Sequence, residues 1–395
     1  MKHSNWRNVY GEVPEYFHRQ LLESLEGLEE ENKMVIQKRK KLTTTLIAAI
    51  VAILALTGGA LAARELGVFK MLTSGSTPIV PLEGAADMVE TNLGFAENDL
   101  VRLTVEEAVY DGQGALVQLR FEPKVDTEKY ALMSAALDSS WGWGDSEYVV
   151  GEEEANGNIR WHFMGRKDGR EQIDCNAKAV LTDAEGNQIE FGYWNGERQP
   201  DGSLILWSTG SSEAPFGERV TLRVEPSVEL RVKWDEKTAS GEWIEVDESE
   251  AFESHEMKPI DATVKCSTEQ RYLALNPQNR LERVEVLRAG ISQSLVRGYL
   301  TVEYAYEPLP EELMGITFHL CDAAGNRISE SNGSEGGIEA DGSYYSTKEI
   351  QSFEELPETL YLEVNVIDGP SLGRIECKVE EADVPVVTAP HLNGF

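Results

Sequence analysis

The sequence predicts a mainly β protein with two tandem β-sandwich domains, preceded by an amphipathic helix and one transmembrane helix. Three observations predict this architecture: an uncharged apolar segment at residues 42–63, alternating apolar and polar runs after residue 97, and a second copy of those runs further along the chain. Alternation with a period of two is typical of half-buried strands, whereas about 20 uninterrupted apolar residues are typical of a membrane span.

The apolar segment from Leu42 to Ala63 is long enough to cross a lipid bilayer. Its 22 residues carry no charge, and as a helix they would extend about 33 Å against a hydrocarbon core of about 30 Å. The basic run KRKK, residues 38–41, stands directly in front of it. Because basic residues stay on the cytoplasmic side, residues 1–41 are predicted to be cytoplasmic and the bulk of the chain extracytoplasmic, in a single-pass protein of the cell membrane.

The span is predicted to be an uncleaved signal anchor. The triplet at residues 60–62, ALA, matches a cleavage site, so cleavage is the alternative. Against it, the stretch in front is long and the apolar region exceeds the usual signal core of about 7–15 residues. A stripe of small residues at Ala48, Ala52, Ala55 and Gly59 would let two spans approach closely, which predicts a homodimer through the span.

The cytoplasmic segment contains one amphipathic helix. After Pro14, the apolar side chains recur at helical spacing, and the acidic side chains lie mostly on the other side. The apolar positions are Phe17, Leu21, Leu25 and Leu28. A lone helix of this length is marginal in water, so the stripe is predicted to bind a cytoplasmic protein partner. The alternative is a juxtamembrane helix that merely continues into the span.

The exterior is predicted to be a tandem repeat of one domain. LTDAEGNQI at 181–189 matches LCDAAGNRI at 320–328, and an apolar alternation at 220–224 matches one at 360–364, all at offsets of 139 or 140. The D-A-x-G-N segments are predicted to be hairpin turns rather than calcium loops, because the Gly is misplaced for calcium. Short strands with turns every ten or so residues favour immunoglobulin-like β-sandwiches in the broad sense.

These patterns divide the chain into six parts. Residues 1–41 are the cytoplasmic segment, 42–63 the transmembrane helix, 64–97 a stalk, 98–272 the first β-sandwich domain with an insertion at about 124–172, 281–383 the second β-sandwich domain, and 384–395 an irregular tail. The linker between the domains is predicted within Leu273 to Arg283.

The composition argues against several classes of function. The net charge of −33 repels phosphates, so no nucleic-acid partner is expected. The six histidines form no H-E-x-x-H motif, and the chain has no G-x-S-x-G elbow and no phosphate-binding glycine loop. The sequence therefore predicts no enzyme, no cofactor and no metal site.

The four cysteines, Cys175, Cys266, Cys321 and Cys377, leave two alternatives open. All follow the span, where disulfides are permitted, and pairs Cys175–Cys266 and Cys321–Cys377 would place one bridge in each half. The other alternative is four buried free thiols.

Tryptophan is confined to the first copy within the repeat. Trp141 and Trp143, in the segment WGWGD, are candidate ligand-binding residues because flanking glycines suggest a loop, and exposed aromatics stack on sugars or anchor protein interfaces. Ordinary core filling is the alternative. Trp161 and Trp207 occupy strand positions and are predicted to be core.

The N-terminal region resembles a known family. The segment V-P-x-x-F-x-x-x-L-x-x-x-L (residues 13–25), the basic run, the alanine-rich span and LTVEEAVYDGQGALVQLRFE (residues 103–122) are similar to Gram-positive single-span proteins with an uncharacterised extracytoplasmic domain. Members often occur beside extracytoplasmic-function sigma factors and resemble anti-sigma factors. The resemblance implies a cytoplasmic sigma factor or other regulator as partner. Residues 1–41 contain no Cys, unlike zinc-containing anti-sigma domains.

Two functions are therefore expected from the sequence. The first is a membrane-anchored sensor or regulatory protein that couples an envelope signal to a cytoplasmic partner. The alternative is a cell-wall or glycan-binding adhesion module anchored by the span.

Overall fold

The computed structural model describes residues 67–73, 78–137, 147–153, 158–212, 216–266, 269–306, 314–338, 343–367 and 369–387. These residues are mainly β, as predicted, and form several sheets whose strands pair antiparallel, except for one parallel pair between residues 130–133 and 171–174. No helix among them is long and apolar enough to cross a membrane. The predicted span and the cytoplasmic helix lie outside the described residues and stay predictions.

The first module is a sandwich of two sheets that face one core. It begins with the short helix α1 (Lys70–Thr73) and also contains α2 (Glu248–Ala251). Its strands are β1 (Glu90–Glu97), β2 (Val101–Tyr110), β3 (Gly114–Pro123), β4 (Tyr130–Met133), β5 (Glu147–Glu153), β6 (Ile159–Arg166), β7 (Glu171–Thr182), β8 (Gln188–Glu190), β9 (Tyr193–Arg198), β10 (Leu204–Ser211), β11 (Arg219–Arg231), β12 (Glu236–Lys237), β13 (Trp243–Ile244), β14 (Phe252–Ser254) and β15 (Ile260–Lys265). Short 3-10 helices cover Gly67–Phe69, Ala85–Met88 and Ala135–Leu137.

The second module is one continuous sheet. Its strands are β16 (Arg271–Pro277), β17 (Val284–Gln293), β18 (Gly298–Tyr306), β19 (Met314–Cys321), β20 (Glu330–Ile338), β21 (Tyr344–Ile350), β22 (Thr359–Ile367) and β23 (Ser371–Ala382). The sheet order is β19-β22-β23-β16-β17-β18-β21-β20. The two outermost strands meet, because His319 on β19 contacts Glu330 at the start of β20. The sheet therefore curls around its core and is more barrel-like than the first module.

The two modules share one strand order. In the first, one sheet runs β1-β2-β3-β10-β9 and the other contains β15, β11 and β7 side by side. In the second, β16-β17-β18-β21-β20 and β23-β22-β19 follow the same sequence of neighbours. Leu181 pairs with Leu222 and Leu320 pairs with Leu362, at the offsets that the sequence repeat predicts.

Even a β-bulge is repeated. The ladder of β2 and β3 shifts register between Val105 and Glu107, and that of β17 and β18 shifts between Val286 and Arg288. From the bulge to its partner across the turn, the hairpin spans 12 residues in the first module (107–118) and 16 in the second (288–303). The second hairpin is therefore longer by four residues at its tip.

Each module has its own apolar core. The first is built from inward positions of β2, β3, β7 and β11, among them Leu103, Phe121 and Leu222, which are buried. The second centres on Val302 and Phe318, with the ring of Tyr304 edge-on to Phe318 at 4.8 Å. A fully buried Leu or Phe side chain contributes about 1.5–3 kcal/mol, so these alternating positions define which face of each strand is inside.

Two predicted boundaries are wrong in this structure. The predicted linker, Leu273 to Arg283, begins with strand: Arg271–Pro277 is a central strand of the second sheet, and Leu273 is completely buried. The predicted stalk, residues 64–97, already contains β1 and packs against both modules. Composition misled the prediction, because Asn276 and Pro277 belong to strand β16 and do not form a loop, whereas Pro81 and Gly84 lie in a short loop within a packed segment.

Candidate functional site

Two insertions distinguish the first module, and they pack together. One carries β5 and β6 (residues 147–166) within the predicted insertion at about 124–172. The other, residues 232–247, lies between β11 and β15, where the second module has only a short turn between β22 and β23. We call these two segments the insert. The second module has the shared fold without these segments. The insert is therefore not needed for the repeat to fold, and its presence calls for another role.

Each half of the insert is a hairpin. Strands β5 and β6 form a two-stranded sheet, and β12 and β13 form another. Gly241 has φ of 90° in the second turn, a conformation that glycine adopts at little cost, and Thr238 N–H donates to the Glu242 carbonyl at 2.8 Å. Isolated two-stranded hairpins are marginal in water, so each depends on the other.

Asp235 joins the two hairpins. Its Oδ2 accepts from the Phe163 backbone N–H at 2.8 Å, and its own N–H donates to the Phe163 carbonyl at 2.8 Å. Its Oδ1 accepts from the Val246 N–H at 2.9 Å. One carboxylate thus fixes strand β6 and the end of the second hairpin together.

His162 lies in the interior of the insert. Its ring stacks on Trp243 with centroids 4.0 Å apart and planes 8° from parallel. Its side chain is 1% exposed, and neither ring nitrogen has a hydrogen-bond partner among the residues that the structure describes. Carboxylate oxygens of Glu152 and Glu245 approach these nitrogens to 3.5 Å, and Asp235 to 3.9 Å. A buried imidazole among carboxylates is a polar centre that the fold of the repeat does not require.

The insert meets the sandwich at an aromatic cage. The Arg231 guanidinium at the end of β11 lies 4.1 Å from the ring centroid of Trp234, 5.0 Å from that of Phe252 and 5.2 Å from that of Phe163. Cation–π contacts of this kind contribute about 0.5–2 kcal/mol each, depending on desolvation. They anchor both hairpins to the core sheet.

The insert also exposes apolar surface. Nine large hydrophobic side chains are exposed among the described residues, and five belong to the insert: Ile159, Trp161, Met164, Val232 and Ile244. Such concentration of exposed apolar side chains marks an interaction site more often than single exposed residues do. The insert is therefore the candidate binding site.

The two modules meet at a buried polar junction. Arg297, at the tip of the β17–β18 hairpin, is completely buried. Its Nε donates to Asp111 Oδ2 of the first module at 3.1 Å, and its Nη1 donates to Glu349 Oε1 at 2.8 Å and to Thr209 Oγ1 at 2.7 Å. Tyr299 OH donates to Asp111 Oδ2 at 3.0 Å.

The charge balance keeps this junction ionised. Burial alone would lower the pKa of the Arg297 guanidinium, but the Glu349 and Asp111 carboxylates outweigh burial and raise its pKa. Burial raises the pKa of Tyr299 well above its ordinary value, so its hydroxyl keeps the proton that it donates. Charged pairs buried this completely are costly to break, which fixes the two modules relative to each other.

The segment after the predicted span packs into the same junction. We call residues 67–73 and 78–89 the N-terminal segment. Its apolar side chains, including Phe69 and Ile79, share a core with Leu116 of the first module and Val296 of the second. Its backbone is held by both modules: Val68 N–H donates to Glu107 Oε2 at 2.9 Å, and Leu82 N–H donates to the Leu295 carbonyl at 2.7 Å.

Gln351 of the second module holds Val80 at two points. Its Oε1 accepts from the Val80 N–H at 2.7 Å, and its Nε2 donates to the Val80 carbonyl at 2.6 Å. The amide side chain satisfies both backbone groups, as a neighbouring strand would.

The predicted site residues are placed only in part. Trp141 and Trp143 lie outside the described residues, as do Phe17, Leu21, Leu25 and Leu28, so their roles stay predictions. Among the tryptophans expected in the core, Trp207 is buried at 6% exposure, and Lys70 lies over its ring. Trp161 is 45% exposed, so that expectation is wrong.

None of the four cysteines forms a disulfide in the structure, which favours the second alternative, although Cys266 is only partly buried. Cys175 pairs with Val228 on β11, whereas Cys266 bonds to Glu218 near the other end of that strand, about 33 Å away at 3.3 Å per residue. Cys321 and Cys377 lie on opposite sides of β22, separated by a whole strand. Neither predicted pair can form a disulfide, whose Cα atoms must lie within about 7 Å.

No group of three or more metal-ligating side chains in the described part of the chain could hold a metal ion. The D-A-x-G-N segments are hairpin turns, as predicted. Asp183 Oδ1 accepts from the Asn187 N–H and Asp322 Oδ1 from the Asn326 N–H, each at 2.8 Å, and the glycines have φ near 88°.

Sequence reasoning missed both the junction and the second half of the insert. Asp111 was visible only as a turn residue, and its role depends on Arg297, 186 positions away. The available signal was the repeat itself: aligning the copies exposes the four extra residues at the second hairpin tip and the extra residues 232–247.

Comparison with known proteins identifies no family. No family model matches the chain, and no curated protein matches. Among solved structures, 47 chains match. One is a conserved domain protein from Bacillus anthracis, with 12% identity over 80% of this chain and 96% of that chain and a TM-score of 0.42. The suspected relation to Gram-positive single-span proteins is untested by these comparisons.

Proposed function

We propose that this protein is a membrane-anchored extracytoplasmic sensor or regulatory protein, with two tandem immunoglobulin-like domains outside the membrane. Its cytoplasmic helix would bind a regulator such as a sigma factor, in the manner of a membrane anti-sigma factor. The protein would act by binding rather than by catalysis.

The observation that carries this proposal is the position of the N-terminal segment. This segment follows the predicted span directly, and it packs between the two modules through Leu116 and Val296. A change in how the modules are held would therefore reach the chain that leads to the membrane. The insert supplies a place where an external partner could bind.

The experiment compares the tagged full chain with two variants expressed in a bacterial host. In the first, Phe17, Leu21, Leu25 and Leu28 are all changed to Ser; in the matched control, Glu23, Glu26 and Glu29 are changed to Gln. The full chain and the control should co-purify from membranes with the same cytoplasmic regulator, and the Ser variant should lose it. Equal recovery in all three, or recovery of the chain in soluble form beginning near Ala63, would contradict the proposal.

A second candidate function is adhesion to cell-wall glycan. It is favoured by the exposure of Trp161, since an exposed indole can stack on a sugar ring. Binding of the full chain to isolated cell wall, lost in Trp161→Ala, would support it. Unchanged binding in that variant would remove Trp161 from such a site.

A further inference from the structure

Among the described residues, strand β6 has one edge without a neighbouring strand. Its only strand partner there is β5, in a two-stranded sheet whose register is regular from Ile159 to Phe163. Phe163 directs its N–H and carbonyl away from β5, because both are bonded to Asp235. Backbone groups in an antiparallel strand alternate in direction, so those of Ile159 and Trp161 point to the same outer edge.

The side chains at this edge are apolar and exposed. Ile159 is 55% exposed and Trp161 45% exposed. They lie on the face of β6 opposite to His162, which Trp243 covers. In the described part of the chain, neither residue has a hydrogen-bond partner on the outer edge. Free backbone groups combined with exposed apolar side chains at every second position are what strand addition by a peptide requires.

The charge around the edge selects the partner. The insert contains nine acidic and four basic residues. The Glu152 and Glu245 side chains are 57% and 44% exposed and lie beside the buried ring of His162. Glu245 also pairs with Arg160 at 3.2 Å, so Glu152 is the more available of the two carboxylates. A second copy of this chain would bring like charges together, and an anionic lipid surface or a nucleic acid would be repelled. A basic strand is the complementary occupant.

We propose that the outer edge of β6 binds an extended basic segment of a partner protein as an added strand. The backbone groups of Ile159 and Trp161 bond to it, its apolar side chains contact the Trp161 indole, and its basic side chains face the carboxylates of the insert. The proposal names the chemical class of the external partner. Only the biological role of this binding rests on the proposed sensor function. The binding itself does not require the cytoplasmic helix.

The experiment measures binding of a fluorescent nine-residue peptide of alternating lysine and valine to the full chain in detergent, by fluorescence anisotropy at low salt. The matched variants are Ile159→Pro, which removes one edge N–H at the first position of the strand, and Ile159→Thr, which keeps it. We expect about tenfold weaker binding for Ile159→Pro and less than about threefold for Ile159→Thr. Trp161→Ala should weaken binding by about tenfold or more.

Controls distinguish strand addition from the alternatives. A peptide of alternating glutamate and valine should not bind measurably, and the wild-type affinity should fall as salt is raised. Equal affinities for Ile159→Pro and Ile159→Thr would overturn the proposal, as would binding of the acidic peptide. If Ile159→Pro lowers the thermal midpoint of the protein, its weaker binding is not informative, and Trp161→Ala becomes the deciding variant. An unchanged peptide affinity in Trp161→Ala would also overturn the proposal. Binding of soluble wall glycan that Trp161→Ala abolishes and Ile159→Pro preserves would assign the edge to glycan instead. Any of these failures would leave the cytoplasmic co-purification result intact.

Discussion

The two modules have the same strand order but were extended in different places. The first gained two insertions that together form the insert, with an exposed edge and exposed apolar side chains. The second gained four residues at one hairpin tip, and with them Arg297 reaches into the first module. One copy thus extends towards solvent and the other extends towards its neighbour.

This difference shows that the shared residues and the added residues of a repeat have different roles. Residues of the shared strands, such as Leu181 and Leu320, are buried in both copies and specify the fold. The added residues specify contacts: those of the first module expose apolar side chains, and those of the second join the modules and the N-terminal segment. Function in this chain is to be sought in what the copies do not share.

The largest effect is expected from breaking the junction. Arg297→Met leaves the Asp111 and Glu349 carboxylates buried without their cation, which should cost about 3–5 kcal/mol of unfolding free energy. Urea unfolding of the full chain in detergent measures it. The control Arg271→Met removes an exposed pair with Glu381 and should change stability by less than about 0.5 kcal/mol. A loss below about 1 kcal/mol for Arg297→Met would show that the junction does not hold the modules.

The next test compares equivalent core positions. Leu181 and Leu320 occupy matching sites, pair with Leu222 and Leu362, and are almost completely buried. Leu181→Ala and Leu320→Ala should each lower the unfolding free energy by about 3 kcal/mol, within the usual range for buried leucines. Urea titrations of both variants measure the two losses. A difference of more than about 2 kcal/mol between them would break the equivalence of the copies.

An alkaline titration should isolate the contribution of one tyrosine in the core of the second module. Burial, assisted by Tyr306 and Tyr344, raises the pKa of Tyr304 in the second module to about 12. The unfolded chain has a tyrosine pKa near 10, so this contribution is present below pH 10 and is lost as the pH rises towards 12. Wild type should lose about 2 kcal/mol more than Tyr304→Phe between pH 9 and 12, measured by urea unfolding. Parallel losses would contradict the assignment.

The smallest effect belongs to the repeated turns. Asp183 and Asp322 each accept backbone N–H groups within their turns. Asp183→Ala and Asp322→Ala should each cost about 1 kcal/mol, because turn hydrogen bonds contribute modestly. Glu185→Ala, which removes an exposed side chain from the first turn, is the control and should be neutral in thermal unfolding. A loss in only one copy would show that the turns are not equivalent.

Features that depend on residues close together in the sequence were predicted better than contacts between distant segments. The mainly β class, the repeat, the D-A-x-G-N turns and the burial of Trp207 depend on local patterns and were predicted. The strand at Arg271–Pro277 was missed because it contains residues that are typical of loops. Its central position in the sheet depends on β17 and β23, which flank it and come later in the chain. The exposure of Trp161 was missed because alternation identifies a strand but does not tell which face is covered.

The candidate site was harder to predict because it joins distant segments. His162 and Trp243 stand 81 positions apart, and only the folded insert stacks them. Arg297 and Asp111 are separated further still. Such contacts have no fixed spacing in the sequence, so no motif describes them, whereas unequal lengths of the two copies do mark where to look.

The two hydrogen bonds between Gln351 and Val80 have a mechanical consequence. Tension applied at the N-terminal end of residues 67–89 first loads the single bond between Val68 and Glu107 of the first module, and then the two bonds at Val80. Two hydrogen bonds loaded together must rupture in the same event, whereas bonds loaded one after another open singly. Such a pull would therefore be shared by both modules, with the second module loaded once the contact at Val68 has opened.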